Sequence, residues 1–316
     1  MLLVRPVPPI RYGRSTLTAP PTVASNVDLV IKGNQSYRHC ITLHSMKPIH
    51  FLVSLLVATA GMPTVSTQAA AVKTDGFARS TQMIVVTTSG WNTVDGQLQR
   101  FERNTPHEKW RPVGKPISIV VGKSGMGWGI GLIPTDAPGI RNDSEPVKKE
   151  GDGRSPAGIF ALGMVFGYAA QPLSRLKLPY LSLTPSIECV DDARSKYYNR
   201  VIDRSTVSPD WKSSEHMRSA GESYVWGIVI DHNGTVEEPN AHPSVPGAGS
   251  CVFMHIWAGH GHGTAGCTAM PQSELESVLL WLDPLRKPLL VQLPAADYAR
   301  LSHRWKLPPI ASKPLR

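Results

Sequence analysis

The sequence predicts a mainly β (α+β) fold, a meander of short strands with a long loop-rich insertion at about 163–226 and one short helix near the C-terminal end. Glycine (27 residues) and proline (28 residues) are abundant, as expected where strands are joined by turns. Segments of strand length, rich in β-branched and aromatic residues, follow one another between turn residues. The 316 residues are 41% hydrophobic, which is enough for one good core.

The N-terminal residues are expected to lie outside the domain. Residues 1–45 lack strand or helix periodicity and are interpreted as an unstructured or mis-called extension. A short charged segment, 46–50, precedes an apolar run at 51–61 and a small-residue end at 69–71, the three parts of a secretory signal. We therefore expect translation from Met46, a signal peptide at 46–71, and a periplasmic or otherwise exported protein.

The apolar run is shorter than the roughly 20 residues that span a bilayer, so no stable transmembrane anchor is expected after cleavage. The alternative is a core helix at 51–61, but Pro48 and Pro63 flank the run. Residues 1–71 hold six basic residues and one acidic residue, which accounts for +5 of the net charge of +9 and leaves +4 for 72–316. This mild excess suits an acidic polymer, whereas nucleic acid is not an expected partner because the sequence has no basic stripe interleaved with aromatics.

In the first half of the domain, strands are predicted at 83–88, 97–103, 110–113 and 117–121. A glycine-rich loop and a charged, solvated loop at 141–154 follow. A hairpin at 151–160 then leads into a strand at 159–162. Asp152 and Arg154 are assigned a role in this turn and no chemistry.

In the second half, the insertion at about 163–226 is expected to shape access to the site, with a short helix at 213–219. Buried strands are predicted at 224–231 and 251–257. An amphipathic helix is predicted at 273–281, with Ser273 as a candidate cap, followed by a closing strand at 288–293. The basic, proline-rich tail is expected to pack loosely.

The stretch 249–270 carries the predicted chemistry. A buried strand presents His255, and a turn with glycines at 259, 261, 263 and 266 then delivers Cys267. The pair suits a general base and a thiol nucleophile, with the pKa of Cys267 lowered by His255 or by the helix that follows. The backbone N–H groups of Ala265, Gly266 and Cys267 are the candidate oxyanion donors.

This stretch resembles the catalytic motif of the L,D-transpeptidases (the YkuD-like family), a His on a strand followed by [S/T]-H-G-C-x-[RN]. The matching residues are His255, Thr264, Gly266 and Cys267, and the segment G-D-G-R-S-P-A-G-I-F (151–160) is similar to the family's G-[DK]-x-x-T-P-x-G-x-[FY] hairpin. Ala265 replaces a second His and Ala269 replaces an Arg, so the T-A-G-C-T-A-M form resembles a divergent branch. The resemblance covers about 83–293.

The resemblance implies a YkuD-like β-sandwich, with 72–316 as the catalytic domain. It implies that Cys267 attacks a peptidoglycan tetrapeptide stem after the L-centre of meso-diaminopimelate, that D-alanine leaves, and that an amine of a second stem resolves the thioester. The Ile256 carbonyl would orient His255, no metal or cofactor would be needed, and carbapenems would acylate Cys267. Thr264, His232 and Trp257 are candidate substrate-binding residues.

The cysteine count suggests one disulfide. Residues 72–316 contain Cys189, Cys251 and Cys267. An oxidising compartment favours pairing, and the nucleophile must stay free, so a Cys189–Cys251 bridge is the hypothesis. The alternative is two separate buried thiols.

Two other functions are compatible with the same residues. His255, His260, His262 and Cys267 could form the ligand set of a zinc-dependent murein peptidase, or the chain could be a non-catalytic cell-wall-binding module. Cys267 could also be a structural thiol and His255 a satisfied core histidine. Sensitivity to a thiol reagent, sensitivity to a chelator, or murein binding without turnover would separate the three functions.

Overall fold

Thirteen strands and two α-helices of eight or more residues make up the described part of the chain. The computed structural model describes residues 79–234 and 244–310, all within one unit, Val65–Arg316. The predicted extension and signal peptide lie outside the described residues. The strands are β1 Gln82–Thr88, β2 Asp95–Glu102, β3 Arg111–Val120, β4 Met126–Trp128, β5 Ser155–Gly167, β6 Tyr180–Ser182, β7 Ile187–Val190, β8 Val201–Asp203, β9 Ser214–His216, β10 Trp226–Ile230, β11 Phe253–Ile256, β12 Thr268–Met270 and β13 Leu289–Pro294, and the helices are α1 Gln272–Trp281 and α2 Ala295–Ser302.

The main sheet of the described residues has ten strands, of which eight close on themselves, while β4 and β6 pair with β5 outside this ring. The order of the eight is β10-β11-β12-β3-β2-β1-β13-β5, and β10 also pairs with β5. Closure depends on the length of β5, whose residues 158–161 pair with β13 while residues 162–167 pair with β10. The mainly β prediction is thus confirmed, but the main sheet is a closed ring rather than two stacked sheets.

Helices cover parts of this ring. α1 packs against β10 and β11 and buries Leu275, Val278 and Leu279. α2 packs against β13 and β1. Since β1 has apolar residues buried on both faces, its sequence reads as a continuous apolar run rather than an alternation. Because α1 packs against β11, it holds the strand that carries His255 against the core.

Several predicted elements differ from the structure. The segments at 110–113 and 117–121 belong to the single strand β3. The helix predicted at 273–281 begins one residue earlier, after Pro271, and Ser273 does not cap it. Up to residue 310 the C-terminal segment is not loosely packed, because α2 and the residues after it bury Tyr298 and Trp305, and the Tyr298 hydroxyl donates to the Pro308 carbonyl at 2.7 Å.

The predicted insertion contains a second sheet. β5 extends to Gly167, past the predicted boundary at 163, and the three strands β8-β7-β9 then form their own small sheet. The predicted short helix at 213–219 is wrong: β9 pairs with β7 there, and only a 3₁₀ turn, Met217–Ser219, follows. None of the helices in 79–234 and 244–310 is long and apolar enough to cross a membrane.

A disulfide ties the second sheet to the strand that carries His255. Cys189 in β7 bonds to Cys251, two residues before β11, with a Cα–Cα distance of 5.9 Å. This is the pairing that the cysteine count suggested. Among the described cysteines, Cys267 is the free one.

Candidate active site

Two parallel neighbouring strands bring His255 and Cys267 to one face of the sheet. In the register of β11 and β12, Met254 pairs with Thr268 and His255 pairs with Ala269. Side chains two residues apart on a strand share a face, so Cys267 lies on the face that Ala269 shares with His255. Ala269 lies at the strand position between them in this face and is fully buried.

Both side chains line a cleft of about 970 Å³. The glycine-rich turn forms one wall, and residues of the predicted insertion form another. Further lining residues are Lys148, Asp191, Glu215, Tyr224, Trp257 and His262. The volume lies near the upper end of the roughly 300–1,000 Å³ range of ligand sites.

His255 is held in one tautomer. Its Nδ1 lies 2.8 Å from the Ile256 carbonyl oxygen. A carbonyl only accepts, so Nδ1 carries the proton and Nε2 is left as a proton acceptor. Burial lowers the pKa of the imidazole, and the Tyr224 ring packs edge-on against it with centroids 5.3 Å apart. His255 is therefore a neutral base in a fixed orientation.

Cys267 is a neutral thiol in the resting site. Its Sγ accepts from the Phe253 N–H at 3.3 Å and donates toward the Cys251 carbonyl at 3.6 Å. Burial, with a smaller contribution from the charge of Glu215, raises the pKa of Cys267 to about 12 against the opposing effects of the Phe253 N–H and Lys148. The predicted lowering of this pKa is wrong.

Neither His255 nor the helix α1, the two groups that were expected to lower the pKa of Cys267, is placed or charged to do so. The neutral imidazole of His255 supplies no positive charge. The helix α1 begins at Gln272, with β12 between it and the thiol, so Cys267 is not at a helix N-terminus.

The turn before Cys267 is closed by hydroxyl groups. Thr264 Oγ1 donates to the Cys267 carbonyl at 2.6 Å and accepts from the Gly266 N–H at 3.1 Å. Ser155 Oγ also donates to that carbonyl, at 2.7 Å, and accepts from the Gly122 N–H. The Thr264 hydroxyl thus closes the turn, although Thr264 also lines the cleft.

These contacts change the set of oxyanion donors. The Gly266 N–H is already bonded to Thr264, so its predicted role as a donor is not supported. The N–H groups of Ala265 and Cys267 take part in none of the hydrogen bonds of the turn described above. They are the remaining candidates beside the thiol.

His232 is a core residue rather than a substrate-binding residue. It is fully buried and is not among the described residues that line the cleft. Its Nδ1 accepts from the Ile130 N–H at 3.2 Å, and its Nε2 lies 3.1 Å from the Ala248 carbonyl. Burial lowers its pKa to about 4. The prediction failed because a histidine at a strand end looks the same in sequence whether it faces the core or the cleft.

The histidines after β11 do not assemble a metal site. Trp257, a candidate substrate-binding residue, lines the cleft, with its ring centroid 4.6 Å from that of His260. His260 is largely exposed, with Nδ1 3.5 Å from Asp95. In the part of the chain that the structure describes, no three His, Cys, Asp or Glu side chains are grouped to hold a metal ion. The zinc ligand set of His255, His260, His262 and Cys267 is therefore not formed.

Comparisons of the chain with protein families, with curated proteins and with solved structures find no match. The chemistry of the cleft must then follow from its own residues. These are a buried thiol, an imidazole fixed as a base, and turn N–H groups beside the thiol.

Three cleft residues were missed in the sequence. The Tyr224 hydroxyl donates to Glu215 Oε1 at 2.7 Å, and Lys148 is 4% exposed although it belongs to the loop predicted to be solvated. Tyr224 could have been found from its place at the start of the buried run 224–231. Glu215 had no local signal, because its strand is placed by pairing with β7. Lys148 was missed because it stands in a charged loop whose composition is typical of a solvated segment.

Proposed function

We propose that this protein is a cysteine-dependent L,D-transpeptidase with a YkuD-like fold, acting on peptidoglycan tetrapeptide stems after export. The observation that carries the proposal is the shared face of His255 and Cys267, with His255 Nδ1 bonded to the Ile256 carbonyl. A thiol and an oriented imidazole that line one cleft support a nucleophile and a base for acyl transfer. The motif resemblance at 151–160 and 255–267 supplies the substrate class.

The first half-reaction forms a thioester. The Cys267 sulfur bonds to the carbonyl carbon of meso-diaminopimelate while the thiol proton passes to His255 Nε2. Because the resting thiol has a pKa of about 12, proton transfer accompanies the attack instead of preceding it. The oxyanion sits near the Ala265 and Cys267 N–H groups. The C–N bond then breaks, and the imidazolium gives its proton to the nitrogen of the departing D-alanine.

The second half-reaction transfers the acyl group. An amine of a second stem attacks the thioester carbonyl, and His255 accepts a proton from that amine. The C–S bond breaks, and the sulfur recovers a proton from the imidazolium. A new amide joins the two stems, and the enzyme returns to its neutral thiol and imidazole.

The experiment is product analysis by mass spectrometry after incubation with disaccharide-tetrapeptide. Crosslinked dimers that have lost one D-alanine are expected, together with a transient acyl-enzyme on Cys267. Cys267→Ala and His255→Ala should each abolish turnover without unfolding the protein, whereas His262→Ala, a cleft residue outside the mechanism, should retain it. Near-normal activity of Cys267→Ala would exclude the mechanism, and murein binding without turnover would favour a binding module.

A further inference from the structure

We propose that Lys148 is a specificity-determining residue that binds the terminal carboxylate of the departing D-amino acid, an inference that rests on the proposed function. Lys148 lines the cleft together with Gly266 and Cys267. It is 4% exposed, which is rare for a lysine because burying an ammonium group is costly. A buried cation at a candidate nucleophile therefore calls for an explanation.

The Lys148 ammonium has one donor left over. Nζ donates to Asp152 Oδ1 at 2.7 Å and to the Lys149 carbonyl at 2.8 Å. An ammonium has three N–H groups, and no third acceptor is found for Lys148 among the described residues. The remaining N–H is available to a group that enters the cleft.

The Asp152 carboxylate is not paired with the Lys148 ammonium alone. Its carboxylate also accepts from the Lys149 N–H at 2.7 Å and from the Arg154 N–H at 2.9 Å. Its negative charge is therefore shared among three donors. Asp152 was expected only to shape the turn, but its carboxylate also holds the Lys148 side chain in place.

Two glycines make room for the Lys148 side chain. A Cβ at Gly249, which has a φ of +102°, would lie 2.9 Å from Lys148 Cε. A Cβ at Gly266 would lie 3.6 Å from Lys148 Nζ. The stem of Lys148 thus runs past one glycine, and its charge ends beside the other, directly before Cys267.

The charges around the cleft leave one place for an anion. Glu150, Asp191 and Glu215 are lining residues that would repel a carboxylate, and Lys148 is the one Lys or Arg among the described lining residues. The departing residue of a tetrapeptide stem is terminal and carries a carboxylate. A charge-assisted hydrogen bond from Lys148 would select stems that end at this residue.

The experiment compares two donor stems, one ending in the D-alanine carboxylate and one in its amide. The wild-type protein should show kcat/KM about tenfold to a hundredfold higher on the carboxylate stem, the range of one charged hydrogen bond. Lys148→Met should lose this preference, and Lys149→Met, a neighbouring exposed lysine, should keep it. Equal loss on both stems in Lys148→Met would overturn the proposal, as would equal kcat/KM on both stems in wild type.

A second measurement is independent of transpeptidation. Iodoacetate carries a carboxylate and iodoacetamide does not. Lys148 should therefore raise the ratio of the Cys267 alkylation rate with iodoacetate to the rate with iodoacetamide. That ratio should fall in Lys148→Met and stay unchanged in Lys149→Met. If this ratio falls in Lys148→Met but the wild-type protein turns over no stem, the anion site is upheld and the proposed function is refuted. An unchanged ratio in Lys148→Met would refute the anion site.

Discussion

At the scale of single residues, Cys267 sits between opposing charges. Glu215 raises its pKa and Lys148 lowers it, while burial has the largest effect. Tyr224 links Glu215 to the site, since its hydroxyl donates to that carboxylate and its ring packs against His255. The reactivity of the thiol should therefore respond to the charge of Glu215.

We expect Glu215→Gln to increase the rate of Cys267 alkylation by iodoacetamide at a fixed pH between 7 and 9. Removal of a negative charge lowers the pKa of the thiol, so a larger fraction is thiolate. The pH–rate profile of alkylation, followed by intact mass, measures this shift. Glu222→Gln, an exposed carboxylate near Tyr224, is the matched control. A profile for Glu215→Gln that overlays the control would contradict the expectation.

His232 makes the stability of the protein depend on pH. Burial lowers its pKa from 6.5 to about 4. Between these values the unfolded chain binds a proton that the folded chain does not, so stability falls as the pH falls from about 6.5 to 4. The pKa difference corresponds to at most about 3 kcal/mol.

Chemical denaturation at several pH values measures this effect. The free energy of unfolding of His232→Gln should fall less between pH 7 and pH 4.5 than that of wild type. His107→Gln, which changes an exposed histidine, should behave as wild type. Equal slopes for wild type and His232→Gln would show that His232 does not titrate as its burial requires.

The sequence could identify His255 and Cys267 because strand, glycine turn and thiol are contiguous. It could not give the direction of the pKa shift of Cys267, which depends on Glu215 and on burial by distant segments. The sequence also could not predict that the Gly266 N–H donates to Thr264, because this hydrogen bond depends on the rotamer of Thr264. The local sequence pattern thus identifies the reactive groups, whereas tertiary contacts determine their protonation states.

At the scale of elements, the second sheet is fastened to the site by one covalent bond. Its strands β8 and β9 have three residues each, too short for independent stability. The Cys189–Cys251 disulfide spans 62 positions. This bond holds the wall of the cleft that carries Asp191 and Glu215 together with the apolar cluster that β7 shares with β5 and β11.

We expect the double variant Cys189→Ala/Cys251→Ala to lose about 4 kcal/mol of unfolding free energy, because the unfolded chain regains the entropy of a long open loop. Urea denaturation of oxidised wild type and of the double variant gives the difference. Cys267→Ala, which changes the free cysteine and breaks no bridge, tests whether any cysteine change has this effect. A loss below about 1 kcal/mol would mean that the second sheet is held mainly by packing.

Element prediction worked where the pattern was local. β1, β10, β11, α1 and β13 were found at nearly their true bounds. The helix at 213–219 was wrong since pairing with β7 decides that segment. The helix α2 was missed because its eight residues are fewer than the window in which a helical period can be recognised.

At the scale of the whole molecule, the ring is built from long-range pairs. β1 lies between β2 and β13, and Met83 pairs with Leu289. The mainly β class follows from composition and strand patterns, but closure does not. It requires that β5 serve two partners, β13 and β10, which no local pattern indicates.

A closed ring should open as one cooperative unit. We expect amides of β1, β5 and β13 to exchange hydrogen with a common free energy equal to that of global unfolding. Amides of β8 and β9 should exchange with a lower free energy. Hydrogen exchange followed by mass spectrometry over a range of denaturant concentrations resolves the two classes. Separate opening of β1 from β13 would show that the ring is not cooperative.

The parallel pairing of β1 with β13 also sets the order in which the molecule can be completed. Met83 and Leu289 are 206 positions apart in the chain. At about 5–20 residues per second, a ribosome makes β13 roughly 10–40 seconds after β1. Throughout that interval β1 lacks one of its two neighbours, and the ring cannot close. A nascent chain of this sequence therefore stays open until nearly all of it has been synthesised.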